Sequence, residues 1–268
     1  MNTFRHSGKL GDIIYSLPAV RALGGGVFYV DHVTRYVAKP PLGFETARMM
    51  LDLLETQEYI HRAALYRKEP VTYDLDRFRE KAVPVHFFNG INAETDKLTE
   101  LIWGGFAREL RQRFVPKIEI DLLQFHWESV GLPGKPDPNV PWITGIPKKP
   151  VSEIVVCRTG RYSGNFDWSG VRRYAHRSVF LGHKEEWQAF RDAHFDIPFY
   201  KASSLLDFAQ VVAGAKLYIG NQCFGLALAD AMLVPRVVEL CGPNPLPTSD
   251  ANSHRNLEPD LVEGYINS

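Results

Sequence analysis

The sequence predicts an α/β protein made of two parallel, doubly wound halves that face a central cleft. Three observations carry this expectation. Short apolar runs alternate with amphipathic stretches in both halves, and the first run, around Phe4, leads through a glycine turn into a helix. A stretch dense in proline and glycine, residues 131–150, then interrupts the alternation before it restarts cleanly.

In chain order, Phe4 sits in a short first strand. Ser7, Gly8, Lys9 and Gly11 form a polar turn, and Ile13, Ile14, Leu17, Val20 and Leu23 recur at helical spacing. Pro18 is costly inside a helix and welcome in a first turn, which allows the regular helix to begin as late as Ser16 or Leu17. Asp12 would then stand in an exposed loop at the carboxyl end of a strand, where open α/β sheets build their sites. Two roles fit it: a catalytic base, or an ordinary helix-start acid that offsets the macrodipole by roughly 0.3 to 1 kcal/mol.

Gly24-Gly25-Gly26 stops the helix, and VFYVD (27–31) reads as the second strand. Residues 45–58 place Ala47, Met50, Leu51 and Leu54 on one face of an amphipathic helix. Residues 59–66 and 83–88 read as strands, and 94–110 as a helical segment interrupted at Gly104-Gly105. The proline-dense stretch excludes regular structure and marks a linker, which gives domains at 1–130 and 151–268 joined by 131–150. Beyond it, strands are expected at 153–157, 178–182, 216–220 and 236–240, with helices at 184–194, 203–213 and 222–233.

Composition narrows the function. A chain of 268 residues is long enough for two domains. Its 31 basic and 31 acidic residues leave no global field to draw it to nucleic acid or anionic membrane. Cys157, Cys223 and Cys241 lie far apart in sequence, with no C-x-x-C pair and no zinc-type histidine spacing, which suits a reduced compartment. No signal-like start and no uninterrupted apolar run of membrane-spanning length occur, so a cytoplasmic protein without a transmembrane segment is expected. Asp74 and Asp76 have the spacing of a metal-binding pair, but with leucine between them in a strand-like context they read as incidental, and no metal is expected.

Two segments of the second half carry chemistry. The first, CRTGRYSGNFDWSGVRRYAHRS (157–178), leaves a strand and sets Arg158, Thr159 and Arg161 just past its end, where guanidinium forks suit phosphate. Arg172, Arg173 and Arg177 read instead as a solvated face, and Tyr162, Phe166 and Trp168 either stack on a ligand or pack the loop down. The second segment ends a buried strand at Gly220, turns through Asn221-Gln222-Cys223 and opens an alanine-rich helix whose free amides make an anion site. Gly225, Ala227, Ala229 and Ala231 permit close approach to a ligand or to the sheet.

In order and spacing these segments resemble the ADP-heptose lipopolysaccharide heptosyltransferases, glycosyltransferase family nine. The family's "GD" loop and "LPAL"-like helix match Gly11-Asp12 and Leu17-Pro18-Ala19-Val20. Its "SLxELAxLIxxA" resembles SLLDFAQVVAGA, and its "GNDSGxxHLAAA", proline, strand and "GPTxP" are similar to IGNQCFGLALADAM, Pro235, RVVEL and Gly242-Pro243-Asn244-Pro245. Where the family has Asp-Ser-Gly this chain has Gln222-Cys223-Phe224, and Ala227 stands at the family's histidine. The resemblance implies a GT-B fold with two Rossmann-like domains and a metal-independent, inverting sugar transfer with no cofactor. A nucleotide-diphosphate sugar would be held by Arg158, Thr159, Arg161, Asn221, Gln222 and Cys223. Asp12 would be the base for a hydroxyl of a glycan or glycolipid acceptor beside the Ser7, Gly8, Lys9 and Gly11 loop. Two other classes stay open: a nucleotide-sugar or glycan-binding protein that kept the fold without catalysis, and a glycosyltransferase acting on nucleic acid. For the latter, ARELRQRFVPK (107–117) offers a basic run, which an amphipathic helix with a solvated face explains more simply.

Overall fold

The computed structural model describes residues 1–34, 42–77, 122–160, 166–239, 253–254 and 259–267. The strand expected at 83–88, the helix expected at 94–110 and the basic run 107–117 lie outside them.

The first half is a four-stranded sheet, parallel throughout. Its strands are β1 (Asn2–His6), β2 (Gly26–Val30), β3 (Ile60–Leu65) and β4 (Tyr73–Asp74), in the order β3-β2-β1-β4. Helices α1 (Leu10–Ala22) and α2 (Phe44–Leu54) follow β1 and β2, and α3 (Leu122–Ser129) packs against α1. The turn between α1 and β2 needs glycine: Gly25 has φ +67°, and a Cβ there would stand 2.0 Å from the Tyr59 carbonyl oxygen.

The second half is a six-stranded sheet, also parallel. Its strands are β5 (Ile154–Cys157), β6 (Ser178–Leu181), β7 (Phe199–Tyr200), β8 (Leu217–Asn221), β9 (Arg236–Glu239) and β10 (Ser253–His254). Their order is β10-β9-β8-β5-β6-β7. The connections are α4 (Ser169–Arg172), α5 (Lys184–Ala193), α6 (Leu205–Ala213) and α7 (Phe224–Ala231), and α8 (Pro259–Asn267) follows β10. The four runs read from the sequence are the four central strands. Parallel strands are buried on both faces, and the apolar runs reflect that.

One core joins the two halves. Phe4, Ile13, Leu17 and Met50 of the first belong to the same buried cluster as Val155, Tyr218, Leu226 and Val238 of the second. The contact runs through α1 against α7 and α2 against α6. A separate cluster of Val156, Trp168, Phe180, Phe190 and Ile219 fills the other face of the second sheet, with Val262 and Ile266 of α8 packed into it.

One expectation changes. Helix α1 begins at Leu10 and runs through Pro18, rather than starting near it. Proline has no N–H for the carbonyl four residues back, and here the Trp142 indole N–H donates to that Ile14 carbonyl at 3.0 Å. Pro18 is therefore tolerated because a residue from outside the helix serves the orphaned oxygen. The 131–150 stretch has no helix or strand but is no loose tether. Trp142 and Ile143 are buried and donate their amides to the Ala231 carbonyl. Thr144 exchanges two hydrogen bonds with the buried Gln57 side chain, and Tyr59 donates to the Trp142 carbonyl. Lys149 ends the stretch, donating its amide to the Gln210 carbonyl and its Nζ to Asp207.

Candidate functional site at the carboxyl ends of the two sheets

Strand order reverses at one place in each sheet. In the second sheet the chain moves outward from β5 to β6 and β7, then returns to lay β8 on the other side of β5. In the first, β2 and β3 lie to one side of β1 and β4 to the other. Ligands of open α/β sheets bind in the crevice that such a reversal opens past the carboxyl ends of the strands. Thr159 follows β5, Asn221 ends β8 with Gln222 and Cys223 after it at the one reversal, and Ser7, Gly8 and Lys9 follow β1 at the other.

Helices α1 and α7 bring these places together. A Cβ on Gly11 would lie 3.8 Å from the Ala227 Cβ, and one turn further on Tyr15 donates to the Asp230 carboxylate, which also pairs with Arg236. The two helices thus run side by side in the same sense, and their N-terminal ends are neighbours. Ala227, which stands where the resembling family has histidine, is fully buried and faces Gly11. The partial positive charge of two helix starts is concentrated at one edge of the molecule.

The loop after β1 is held amide by amide. Ser7 N–H donates to both oxygens of Asp76 at 3.1 Å, Gly8 N–H to His6 Nδ1 at 2.8 Å, and Lys9 N–H to Asp12 Oδ2 at 3.1 Å. Asp12 is half-buried and lies in the first turn of α1, not in a preceding loop. Its helix-start role is therefore present whatever else it does. Asp74 and Asp76, incidental as a metal motif, serve Arg5 instead: nearly buried on β1, it donates to Asp74 at 3.0 Å and lies 3.3 Å from Asp76. It also pairs with the fully buried Asp31 at 2.8 Å. Burial opposes charge on both Arg5 and Asp31, yet Arg5 is held above its ordinary value by these carboxylates. Asp31 is held below its own by Thr34, the Val33 amide and Arg5.

At the second sheet, Arg158 makes a two-point pair with the buried Glu239 at the end of β9, at 2.7 and 3.0 Å, and its guanidinium lies 5.9 Å from the Trp168 ring. Thr159 and Asn221 bridge β5 to β8: Thr159 N–H donates to Asn221 Oδ1 at 3.0 Å, and Asn221 Nδ2 donates to the Thr159 carbonyl at 2.7 Å. Arg161 and Tyr162 lie outside the described residues. Trp168 is buried and packs edge-on against Phe166 and Phe190. Arg173 and Arg177 pair with Glu263 and Glu153.

Sequence reasoning missed Glu239 as the partner of Arg158, although an acid closing the apolar run RVVEL is a visible signal. It also missed Tyr15 and Arg236, whose shared partner Asp230 sits within an alanine-rich helix. Two buried hydroxyls, Ser7 Oγ and Thr159 Oγ1, have no hydrogen-bond partner among the described residues, one at the carboxyl edge of each sheet. No helix of the described residues is long and apolar enough to cross a membrane.

Comparison with solved structures follows this architecture. A glycosyltransferase family nine protein from Veillonella parvula superposes with a TM-score of 0.52 at 12% identity, over 94% of this chain and 84% of that one. The heptosyltransferase WaaC of E. coli, solved with ADP-2-deoxy-2-fluoro heptose, aligns at TM-score 0.49 and 14% identity, over 99% and 98%. No family model and no curated protein matches the sequence. The Veillonella protein shares the two-half parallel α/β fold, which is the fold the sequence resemblance implied.

Proposed function

We propose that this chain is an inverting glycosyltransferase that moves a sugar from a nucleotide-diphosphate donor to a hydroxyl of a glycan or glycolipid. The single observation that carries this reading is the side-by-side start of α1 and α7 at the strand-order reversals of both sheets. That arrangement sets a carboxylate, Asp12, beside a concentration of helix-start amides. Residues 151–268 would hold the donor and residues 1–130 the acceptor, joined by 131–150. Thr159, Asn221, Gln222 and Cys223 would line the donor diphosphate together with Arg158 and Arg161, and Ser7, Gly8, Lys9 and Gly11 would line the acceptor side.

In the reaction the acceptor hydroxyl attacks the anomeric carbon as Asp12 takes its proton. The bond from that carbon to the diphosphate oxygen breaks, and the configuration inverts. Negative charge growing on the leaving diphosphate is met by preorganised donors, here the Cys223–Phe224 helix start and the buried Thr159 hydroxyl. The reading assigns no metal and no cofactor to this step, and it places the protein in the cytoplasm on its cysteine usage. Asp12→Asn tests it. The amide keeps an oxygen for the Lys9 N–H, so the melting temperature should hold while turnover falls by about 100-fold or more. Near-normal turnover of the variant would remove Asp12 from the chemistry.

One observation favours a second reading, that of a nucleotide-sugar or glycan-binding protein without catalysis. Arg158 is already committed to Glu239 at two points, and Asp12 already serves the Lys9 amide. Binding of a nucleotide-diphosphate sugar by calorimetry, with no transfer or hydrolysis across a panel of donors, would establish it in place of the first.

A further inference from the structure

We infer that Cys157 and Cys223 are a dithiol modification site that hydroperoxides convert to an intramolecular disulfide. Sixty-six positions separate the two in sequence, and no cysteine motif joins them, yet the fold sets Sγ against Sγ at 3.4 Å. The reason lies in the sheet. Cys157 is the last residue of β5 and stands opposite Gly220 on β8, so the turn that follows β8 delivers Cys223 over the end of β5. Two glycines permit the approach. A Cβ on Gly220 would stand 2.1 Å from the Cys157 carbonyl oxygen, and one on Gly225 would stand 3.1 Å from the Cys157 sulfur. A disulfide needs the sulfurs at about 2.05 Å, so the two, now 3.4 Å apart, must close by about 1.4 Å.

The two thiols differ in the way such a reaction requires. Cys223, at the start of α7, is the less buried residue of the two, and Tyr218 Oη lies 3.2 Å from its sulfur, whereas Cys157 is a buried residue at the end of β5. The Cys157 thiol, the Tyr218 hydroxyl and the Leu226 and Gly225 amides pull Cys223 below the ordinary thiol value. The same pairing and burial push Cys157 well above it. Cys223 is thus the attacking thiolate and Cys157 the resolving thiol. The Cys223 sulfur attacks the peroxide, its O–O bond breaks, and a sulfenic acid and one water (or alcohol) form. Cys157 then attacks the sulfenic sulfur, the S–S bond forms, the S–O bond breaks, and oxygen leaves as a second water with the Cys157 proton. Both sulfurs together lose two electrons, and the peroxide gains them.

The inference does not depend on the glycosyltransferase reading, and its test does not read transfer. The full chain and its Cys241→Ser variant are treated with a small excess of hydrogen peroxide, then alkylated, digested and mapped by mass spectrometry. The expected result is loss of alkylation at Cys157 and Cys223 together, a linked pair of peptides spanning them, an intact mass lower by two hydrogens, and full reversal by dithiothreitol. Cys223→Ser should abolish the linked species while keeping the fold, since serine is nearly the size of cysteine and its hydroxyl can keep the Tyr218 contact. Oxygen addition at Cys223 without a link, both thiols remaining alkylatable, or linkage through Cys241 alone would overturn the inference.

Discussion

Trp142→Phe tests how α1 accommodates Pro18. The wild-type indole donates to the Ile14 carbonyl at 3.0 Å, and Trp142 is 2% exposed, so no water reaches that oxygen when the donor is removed. Phenylalanine keeps most of the apolar contact. The loss is therefore an unsatisfied buried carbonyl, about 1 to 3 kcal/mol, plus about 1 kcal/mol for the space left by the smaller ring. Pro18→Ala changes the account, because the introduced alanine supplies the N–H that the Ile14 carbonyl lacks. In that background Trp142→Phe should cost only the packing part, which leaves a coupling of about 1 to 3 kcal/mol between two residues far apart in sequence. Urea unfolding of the four proteins followed by circular dichroism measures it, provided that the slopes agree. Costs that add within about 0.5 kcal/mol would show that Trp142 does not act on the oxygen Pro18 orphans.

Asp230→Ala leaves the fully buried Arg236 without its carboxylate and Tyr15 without its acceptor, so a loss of about 3 to 5 kcal/mol is expected by the same unfolding measurement; a loss below about 1 kcal/mol would refute the pairing. Asp207 gives a pH signature. Burial opposes its charge, but Lys149, the Ser203 amide and hydroxyl and Tyr200 prevail and hold its carboxyl at about 2, against an ordinary 3.8. A depressed carboxyl stabilises above its unfolded value and loses that contribution as pH falls through the folded one. About 2 kcal/mol should therefore be lost between roughly pH 4 and pH 2 in the wild type, and this part of the acid sensitivity should be absent from Asp207→Asn. Identical acid profiles for the two proteins would remove Asp207 from that role.

The second sheet was legible in the sequence because strands buried on both faces write themselves as apolar runs, and IVVC, SVFL, LYIGN and RVVE need no partner to be recognised. The positions of the Ser7–Lys9 loop after β1 and of the Gln222-Cys223 turn after β8 were legible for a related reason, since each follows such a run. What the sequence hid were pairings set by the tertiary fold. Pro18 argued for a late helix start under a local rule, and the indole that lifts the rule comes from the 131–150 stretch. Proline density there correctly excluded regular structure but gave no sign that Trp142 and Ile143 would be buried or that Thr144 would meet the buried Gln57. Asp74 and Asp76 looked incidental because Arg5, the residue they serve, lies on a strand nearly 70 positions earlier. Arg158 was read as open to phosphate because Glu239 becomes its neighbour only when β9 is laid two strands away from β5.

The core shared by α1, α2, α6 and α7 also bears on how the protein comes apart. A boundary drawn at 131–150 from sequence suggests two units, each with its own melting transition. Yet separating them would expose the Leu226 and Ala227 face of α7, part the Tyr15–Asp230 contact and strip Trp142 from the Ile14 carbonyl in one event. With one buried cluster shared between them, the described parts of both halves should melt cooperatively. A backbone nick within 131–150 would sever the covalent path without releasing either piece.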